Sequence, residues 1–325
     1  MRSNRLLLNR YFKCFKLTRK ASGFTLIELM IAMLLAFLVI TPLMTFMLNI
    51  MNTDRKEQAK ATSEQEIQSA LEYIAQDLEQ AVYIYDADAL NNNNPSGIKN
   101  QIPPLATAPG CQNTTSTSCI PVLVFWKREP RLGVLPVTGT AMKDDTFVYS
   151  LVAYYLIKGN NANADETWSD AARIGRFQIR DGVKNPNIPN NPNGTPNYIS
   201  TEEAASSGFQ LFDLTATGTT LKDKMNRWQK ASTSYTSQTF TLVDFIDQNP
   251  NGMTANCPVN TQQVPSTLAG GFYGCVDSST TSVQIYIRGN ALARIENTST
   301  YSASQANYFP TVSTQIKGRG LLGGS

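Results

Sequence analysis

One ionisable side chain, Glu28, stands inside an apolar run. The run from Phe24 to Leu48 is dominated by Leu, Ile, Met, Ala, Val and Phe. An acid at the middle of a bilayer costs about 2.5–3.5 kcal/mol, and less near the interface. Such a carboxylate needs a partner. If the chain is cut after Gly23, the new α-amino group of Phe24 is a cation one helical turn from Glu28. The same amine on a staggered neighbouring copy reaches the carboxylate with better geometry. A charge pair in low dielectric sets register, which apolar contacts alone do not. Gly23 suits a protease subsite, because without Cβ its backbone can lie close to an enzyme.

The other reactive residue types are sparse. Histidine is absent, which excludes Ser-His-Asp or Cys-His catalysis, His-containing zinc sites and an imidazole pH switch. Cys14 precedes Gly23 and would be lost with a cut after it. Cys111, Cys119, Cys257 and Cys275 remain, an even number that suggests disulfides in an exported domain. Three pairings are open. Cys111–Cys119 and Cys257–Cys275 close the shortest loops, and each bond adds about 2–4 kcal/mol. Without His or a C-x-x-C pair, a metal site is the weaker reading.

Asn161, Asn163, Asp165, Glu166 and Asp170 gather oxygen atoms, but they lack the ordered spacing and glycine of a calcium loop. A solvated loop is expected there, and no metal. Trp126 sits in an apolar strand and reads as core. Trp168 and Trp228 lie in polar stretches and are candidates for stacking on sugar rings or a partner. No phosphate loop, nucleophile elbow or paired-carboxylate motif is recognisable. Neither an enzyme nor a cofactor is expected.

The elements around Glu28 follow from charge and periodicity. The 325 residues allow one or two domains. Residues 1–23 hold seven of the 28 basic residues (Arg2, Arg5, Arg10, Lys13, Lys16, Arg19, Lys20) and no acid. The other 21 and all 25 acidic residues follow, so the body carries a net −4. A mildly acidic body is a poor nucleic-acid binder. From Leu29 to Thr53 no residue is charged, and a membrane-spanning helix needs about 20 apolar residues. Basic residues before the span, and near-cancelling Asp54, Arg55, Lys56 and Glu57 after it, put the N-terminus in the cytoplasm and the head outside. A cleavable secretory signal would want an apolar core of about 7–15 residues; this run is too long, and the nearest A-x-A, Ala59-Lys60-Ala61, lies inside a helical pattern. Pro42 within the span removes a helix hydrogen bond and favours a kink.

Beyond the span, Ile67, Leu71, Ile74, Leu78 and Ala81-Val82 form one apolar stripe at spacings of three and four. No Pro or Gly falls between Pro42 and Pro95. A helix from Phe24 to Val82 is expected, roughly 90 Å long at ~1.5 Å per residue. Too few heptads are visible for a free coiled coil. After Asn91–Asn94 and Pro95-Ser96-Gly97, a loop, come candidate strands at Pro121–Lys127, Thr146–Ile157, Ile174–Arg180, Gly208–Leu214, Phe240–Ile246, Val283–Arg288, Ala291–Ile295 and Thr311–Lys317. Phe147–Ile157 reads as a central strand, Gly289-Asn290 as a hairpin turn, and Lys184–Ser200 as an exposed, mobile loop. The expected fold is α+β: a long helix laid against an antiparallel sheet.

Ser22-Gly23-Phe24-Thr25-Leu26-Ile27-Glu28, ahead of an apolar span, resembles the prepilin processing signature of type IV pilins and type II secretion pseudopilins. The resemblance implies that a prepilin peptidase cuts after Gly23 on the cytoplasmic side and methylates the Phe24 amine. It implies that Glu28 is the assembly glutamate, which tip-most minor pseudopilins usually lack. Pro42 departs from the pattern: many pilins carry a proline in this region, usually a few residues further along. The order of elements is similar to the pilin architecture. That architecture divides the chain into a basic leader (1–23), a transmembrane and assembly helix (24–50), an amphipathic helix half (51–83) and a periplasmic strand-rich head (84–325).

Val122–Lys127, Thr241–Asp247 and Val283–Leu292 resemble the larger minor pilins of the PilW or J-type pseudopilin class. Asn52–Ala61, Val82–Asp86 and Gly318-Arg319-Gly320 are similar to a cyanobacterial pseudopilin of hormogonium polysaccharide secretion. The implied function is that of a minor subunit in a pilus-like or type II secretion-like filament, supporting polysaccharide secretion and linked motility. Its implied partners are prepilin peptidase, other pilin or pseudopilin subunits, and an inner-membrane assembly platform with a cytoplasmic ATPase. The alternative is a membrane-anchored periplasmic module that binds glycan or protein and does not polymerise.

Overall fold

A stretch without helix breakers becomes one long helix. In the computed structural model α1 runs Leu26–Glu79 and continues through Pro42. The structure describes residues 23–91, 97–104, 111, 117–137, 139–159, 168–192, 194–296 and 300–320. The leader up to Ser22, positions 92–96, and Asn161, Asn163, Asp165 and Glu166 lie outside these residues. The chain divides into two units at Asp54/Arg55. In the N-terminal unit the large apolar side chains from Phe24 to Met51 are exposed, and α1 is long and apolar enough to cross a membrane.

In the second unit, Ile67, Leu71, Ile74 and Leu78 are buried as the stripe requires. The helix ends three residues before the expected Val82. Ala81–Ile84 is instead strand β1, followed by the short helix α2, Ala87–Asn91. A one-sided helical stripe needs polar flanks, whereas Ala81 to Tyr85 are all buried. A strand inside a sheet accepts such a run.

The long strands β2 (Thr117–Pro136) and β3 (Lys143–Gly159) form an antiparallel ribbon. β4 (Ala172–Arg180) and β5 (Phe240–Ile246) complete a five-stranded antiparallel sheet in the order β1-β2-β3-β4-β5. β3 is central, as its two apolar faces require. Between β4 and β5 lies α3, Leu221–Met225, with a Thr220–Asp223 capping box. A second antiparallel sheet, β6-β7-β8-β9, comprises Gln262–Val264, Phe272–Asp277, Ser282–Arg288 and Thr311–Lys317. Leu123 of β2 packs on Gly274 of β7, where a Cβ would stand 3.1 Å from the leucine methyl.

Several local expectations are corrected. Gly208–Leu214 is not a strand: Gly208 has φ +82°, and Phe209 and Phe212 turn together onto Trp126. Ala291–Ile295 is not a strand either. Ala291–Arg294 is a 3-10 turn, and Asn290 Oδ1 accepts the Ala293 N–H at 3.1 Å. Gly289-Asn290 is therefore no hairpin turn; β8 pairs with β7 and β9. β6 and β7 were not legible, because Gly274 interrupts the apolar run of β7. The stretch 184–200 is an exposed to half-buried loop, in line with the exposure expected of it, and a Lys184–Tyr198 bridge and the Asn185 N–H to Asn197 carbonyl bond of 2.8 Å tie its two ends.

Candidate functional site

Gly23 and Phe24 precede the first turn of α1 and are exposed, Phe24 at 77%. A Cβ built on Gly23 meets nothing within 4 Å. Thr25 starts the helix: its Oγ1 accepts the Glu28 N–H at 3.3 Å, and its carbonyl accepts the Leu29 N–H at 3.1 Å. Thr25-Leu26-Ile27-Glu28 has the T-x-x-E spacing of a helix cap, a local signal additional to the processing motif. Glu28 sits in the first turn, where the helix dipole favours an anion. Among the described residues no side chain pairs with its carboxylate. Thr41 and Thr45 hydroxyls donate to carbonyls four residues back, at 2.8 and 3.0 Å, on either side of Pro42.

The second constellation lies in the other unit and joins α1 to the five-stranded sheet. Asp77, 7% exposed, accepts hydrogen bonds from Lys127 Nζ at 2.8 Å, Arg176 Nε at 2.7 Å and Tyr154 Oη at 2.7 Å. Arg176 donates onward to Gln178 Oε1 at 2.5 Å, and Gln178 Nε2 to Glu129 at 2.7 Å. Ser150 also donates to Glu129, at 2.8 Å. Arg131 and Arg180 share Glu203. Burial raises the Asp77 carboxyl, but Arg176 and Lys127 outweigh it and hold the group below its ordinary value. Burial and the Asp77 charge push the Tyr154 phenol well up, so it stays a donor. The arrangement offers no unpaired nucleophile; chemically it is a clamp.

The clamp does not show in the apolar stripe of the helix, because Asp77 falls outside the stripe positions Ile74 and Leu78. A signal existed: Ser63, Ala70 and Asp77 recur every seven residues and are all buried. The charge at that spacing marks a buried partner rather than solvent.

The tryptophans separate. Trp126 is core, as expected, with Nε1 donating to Tyr85 Oη at 3.1 Å. Trp228 is not on the surface: it is 4% exposed, packs edge-on against Trp126 and donates to the Gln210 carbonyl at 2.7 Å. Its polar neighbours in sequence conceal a long-range aromatic cluster. Trp168 is 36% exposed and borders a groove of about 550 Å³ beside α1 and β5. Asp170 is half-buried, and among the described residues no acid or cysteine group gathers into a metal site.

Two disulfides are formed, Cys111–Cys119 and Cys257–Cys275, closing loops of 8 and 18 residues. Of the three open pairings, the structure adopts the one with the shortest loops.

Comparison with known proteins adds one match. Residues 18–44 fit the prokaryotic N-terminal methylation motif. This is a type IV pilin-like prepilin signal, and it implies processing by prepilin peptidase and assembly with other pilins. No curated protein and no solved structure matches the chain. The motif with its apolar helix fits a single-pass protein anchored in an inner membrane, and a structural subunit rather than an enzyme.

Proposed function

We propose that the chain is made as a membrane-inserted precursor and cut after Gly23. It is then methylated on the Phe24 amine and built as a minor subunit into a type IV pilus-like or type II secretion-like filament. The observation that carries this reading is Gly23-Phe24-Thr25-Leu26-Ile27-Glu28 at the edge of a charge-free span, inside the methylation-motif match. Before cleavage the basic leader holds the N-terminus in the cytoplasm. After it, Glu28 of a seated subunit meets the Phe24 amine of an incoming one. Residues 24–50 form the assembly segment, 51–83 the amphipathic half and 84–325 the periplasmic head.

The mechanism asks little of this chain beyond electrostatics and packing. Apolar helices bundle with no preferred register, and a buried charge pair selects one. A separate cytoplasmic ATPase on the assembly platform supplies the work. The finer reading is a PilW or J-type subunit, from the resemblance of Val122–Lys127, Thr241–Asp247 and Val283–Leu292, in a filament that exports polysaccharide, from that of Asn52–Ala61, Val82–Asp86 and Gly318-Arg319-Gly320.

The test is the N-terminus of the protein recovered from cells that make it. Sequencing and intact mass are expected to begin at N-methyl-Phe24. A chain beginning at Met1 overturns the reading and leaves a membrane-anchored binding module.

A further inference from the structure

The groove beside Trp168 is lined in a way the filament reading does not use. One wall is a stripe of α1: Thr62, Gln65, Glu66, Ser69 and Tyr73. Facing it are β5 residues Thr241 to Asp244, with Trp168 at the rim. Its volume of about 550 Å³ is that of a small-ligand site.

Both rim aromatics are held. Ser169, next to Trp168, donates its N–H and hydroxyl to Asp244 at 2.9 and 2.8 Å. The Arg173 guanidinium lies 5.8 Å from the Trp168 ring centre. Arg176, fixed by Asp77, lies 5.6 Å from the Tyr73 ring centre. Yet Tyr73 is 44% exposed. Two positioned aromatic rings with free surface, beside hydroxyl and amide groups, offer an apolar face and hydrogen bonds together.

We propose that this groove binds a neutral saccharide chain. A pyranose ring has the matching chemistry: one face of C–H groups to lie on an aromatic ring, and a hydroxyl rim for Thr62, Gln65 and Ser69. No Lys or Arg lines the groove; of the cations behind it, Arg176 is paired with Asp77 and Arg294 with Glu66, and Asp244 on the wall opposes an acidic polymer. A peptide strand added to β5 is disfavoured. The C-terminal half of its outer edge is taken by the Ile246–Gly289 bridge and the Asn290 N–H to Phe245 carbonyl bond of 2.7 Å. The inference rests on the filament reading only for placing the groove outside the cell.

The test uses the full chain in detergent. Cellohexaose, maltohexaose and mannohexaose are titrated while tryptophan fluorescence and ligand-observed NMR are recorded, with hexagalacturonate as the acidic comparator. At least one neutral probe is expected to bind saturably. Trp168→Ala and Tyr73→Ala should each weaken it tenfold or more. Gln65→Ala should weaken it severalfold, with thermal unfolding unchanged. Phe147→Ala, an exposed aromatic on β3 outside the groove, should leave binding unchanged. The proposal is overturned if no neutral probe binds the folded protein, if hexagalacturonate binds tighter, or if Trp168→Ala and Tyr73→Ala bind as the parent does. Binding is read on solubilised monomer, and incorporation of Trp168→Ala into filaments is scored separately. Failure of either reading is thus visible without the other.

Discussion

Asp77 and Arg176, 99 positions apart in the chain, meet at 2.7 Å between α1 and the central sheet. Lys127 closes on the other carboxylate oxygen at 2.8 Å. One acid on a helix thus serves as the shared counter-charge of two cations from two strands. The contact sets both the rotation of α1 on the sheet and its position along it.

Removing that acid leaves two cations buried without a counter-charge. Asp77→Asn is expected to cost about 3–5 kcal/mol, seen as a lower melting temperature by circular dichroism. Asp77→Leu combined with Lys127→Met and Arg176→Leu should recover much of the loss, since a matched apolar set needs no counter-charge. If Asp77→Asn melts with the parent, the clamp contributes nothing.

The same group predicts a pH response. Its folded-state carboxyl lies below the unfolded value of 3.8, so its contribution is complete above that pH. It is lost as pH falls through the folded value. Glu203, lowered by its hydrogen bond from Arg131, acts in the same direction. Asp247, raised by burial, acts in the opposite one. Melting temperature measured from pH 6 to about pH 2 should fall most steeply below about 3.8, and less steeply in Asp77→Asn. Parallel curves for the two proteins would assign the acid loss to other groups.

At the N-terminus, Glu28→Ala or Glu28→Leu should be inserted and cut normally but enter filaments poorly. Immunoblots of sheared filaments against whole membranes would read this, and normal incorporation would remove the register argument. A bulky residue at Gly23, such as Gly23→Leu, should leave the leader attached. Mature-length protein in that variant would refute the processing step.

The exported protein should show no alkylation of Cys111, Cys119, Cys257 or Cys275 until it is reduced, and four additions afterwards. Cys257→Ser with Cys275→Ser opens an 18-residue loop and should cost about 2–4 kcal/mol. Four free thiols on exported material would contradict both bonds.

Trp228→Ala should destabilise as a core truncation does, by about 3–5 kcal/mol, because the ring is enclosed by Trp126 and donates to Gln210. A change within about 0.5 kcal/mol, as for surface positions, would return it to the surface.

What the amino-acid sequence alone determined is whatever local order encodes. The Gly23–Glu28 motif and the charge-free span are contiguous. The stripe Ile67, Leu71, Ile74 and Leu78 has helical period, and the strands at Thr146–Ile157, Phe240–Ile246 and Thr311–Lys317 carry their own patterns. Tertiary structure alone decided what depends on a partner far along the chain. Asp77 is a buried clamp because Lys127 and Arg176 arrive from two strands. Trp228 is core because Trp126 receives it, and Ala81–Ile84 is a strand because β2 offers an edge. A polar or aromatic side chain has no intrinsic inside or outside. Its free energy of burial turns on whether another segment supplies a charge, a carbonyl or a ring, and spacing along one segment does not record that.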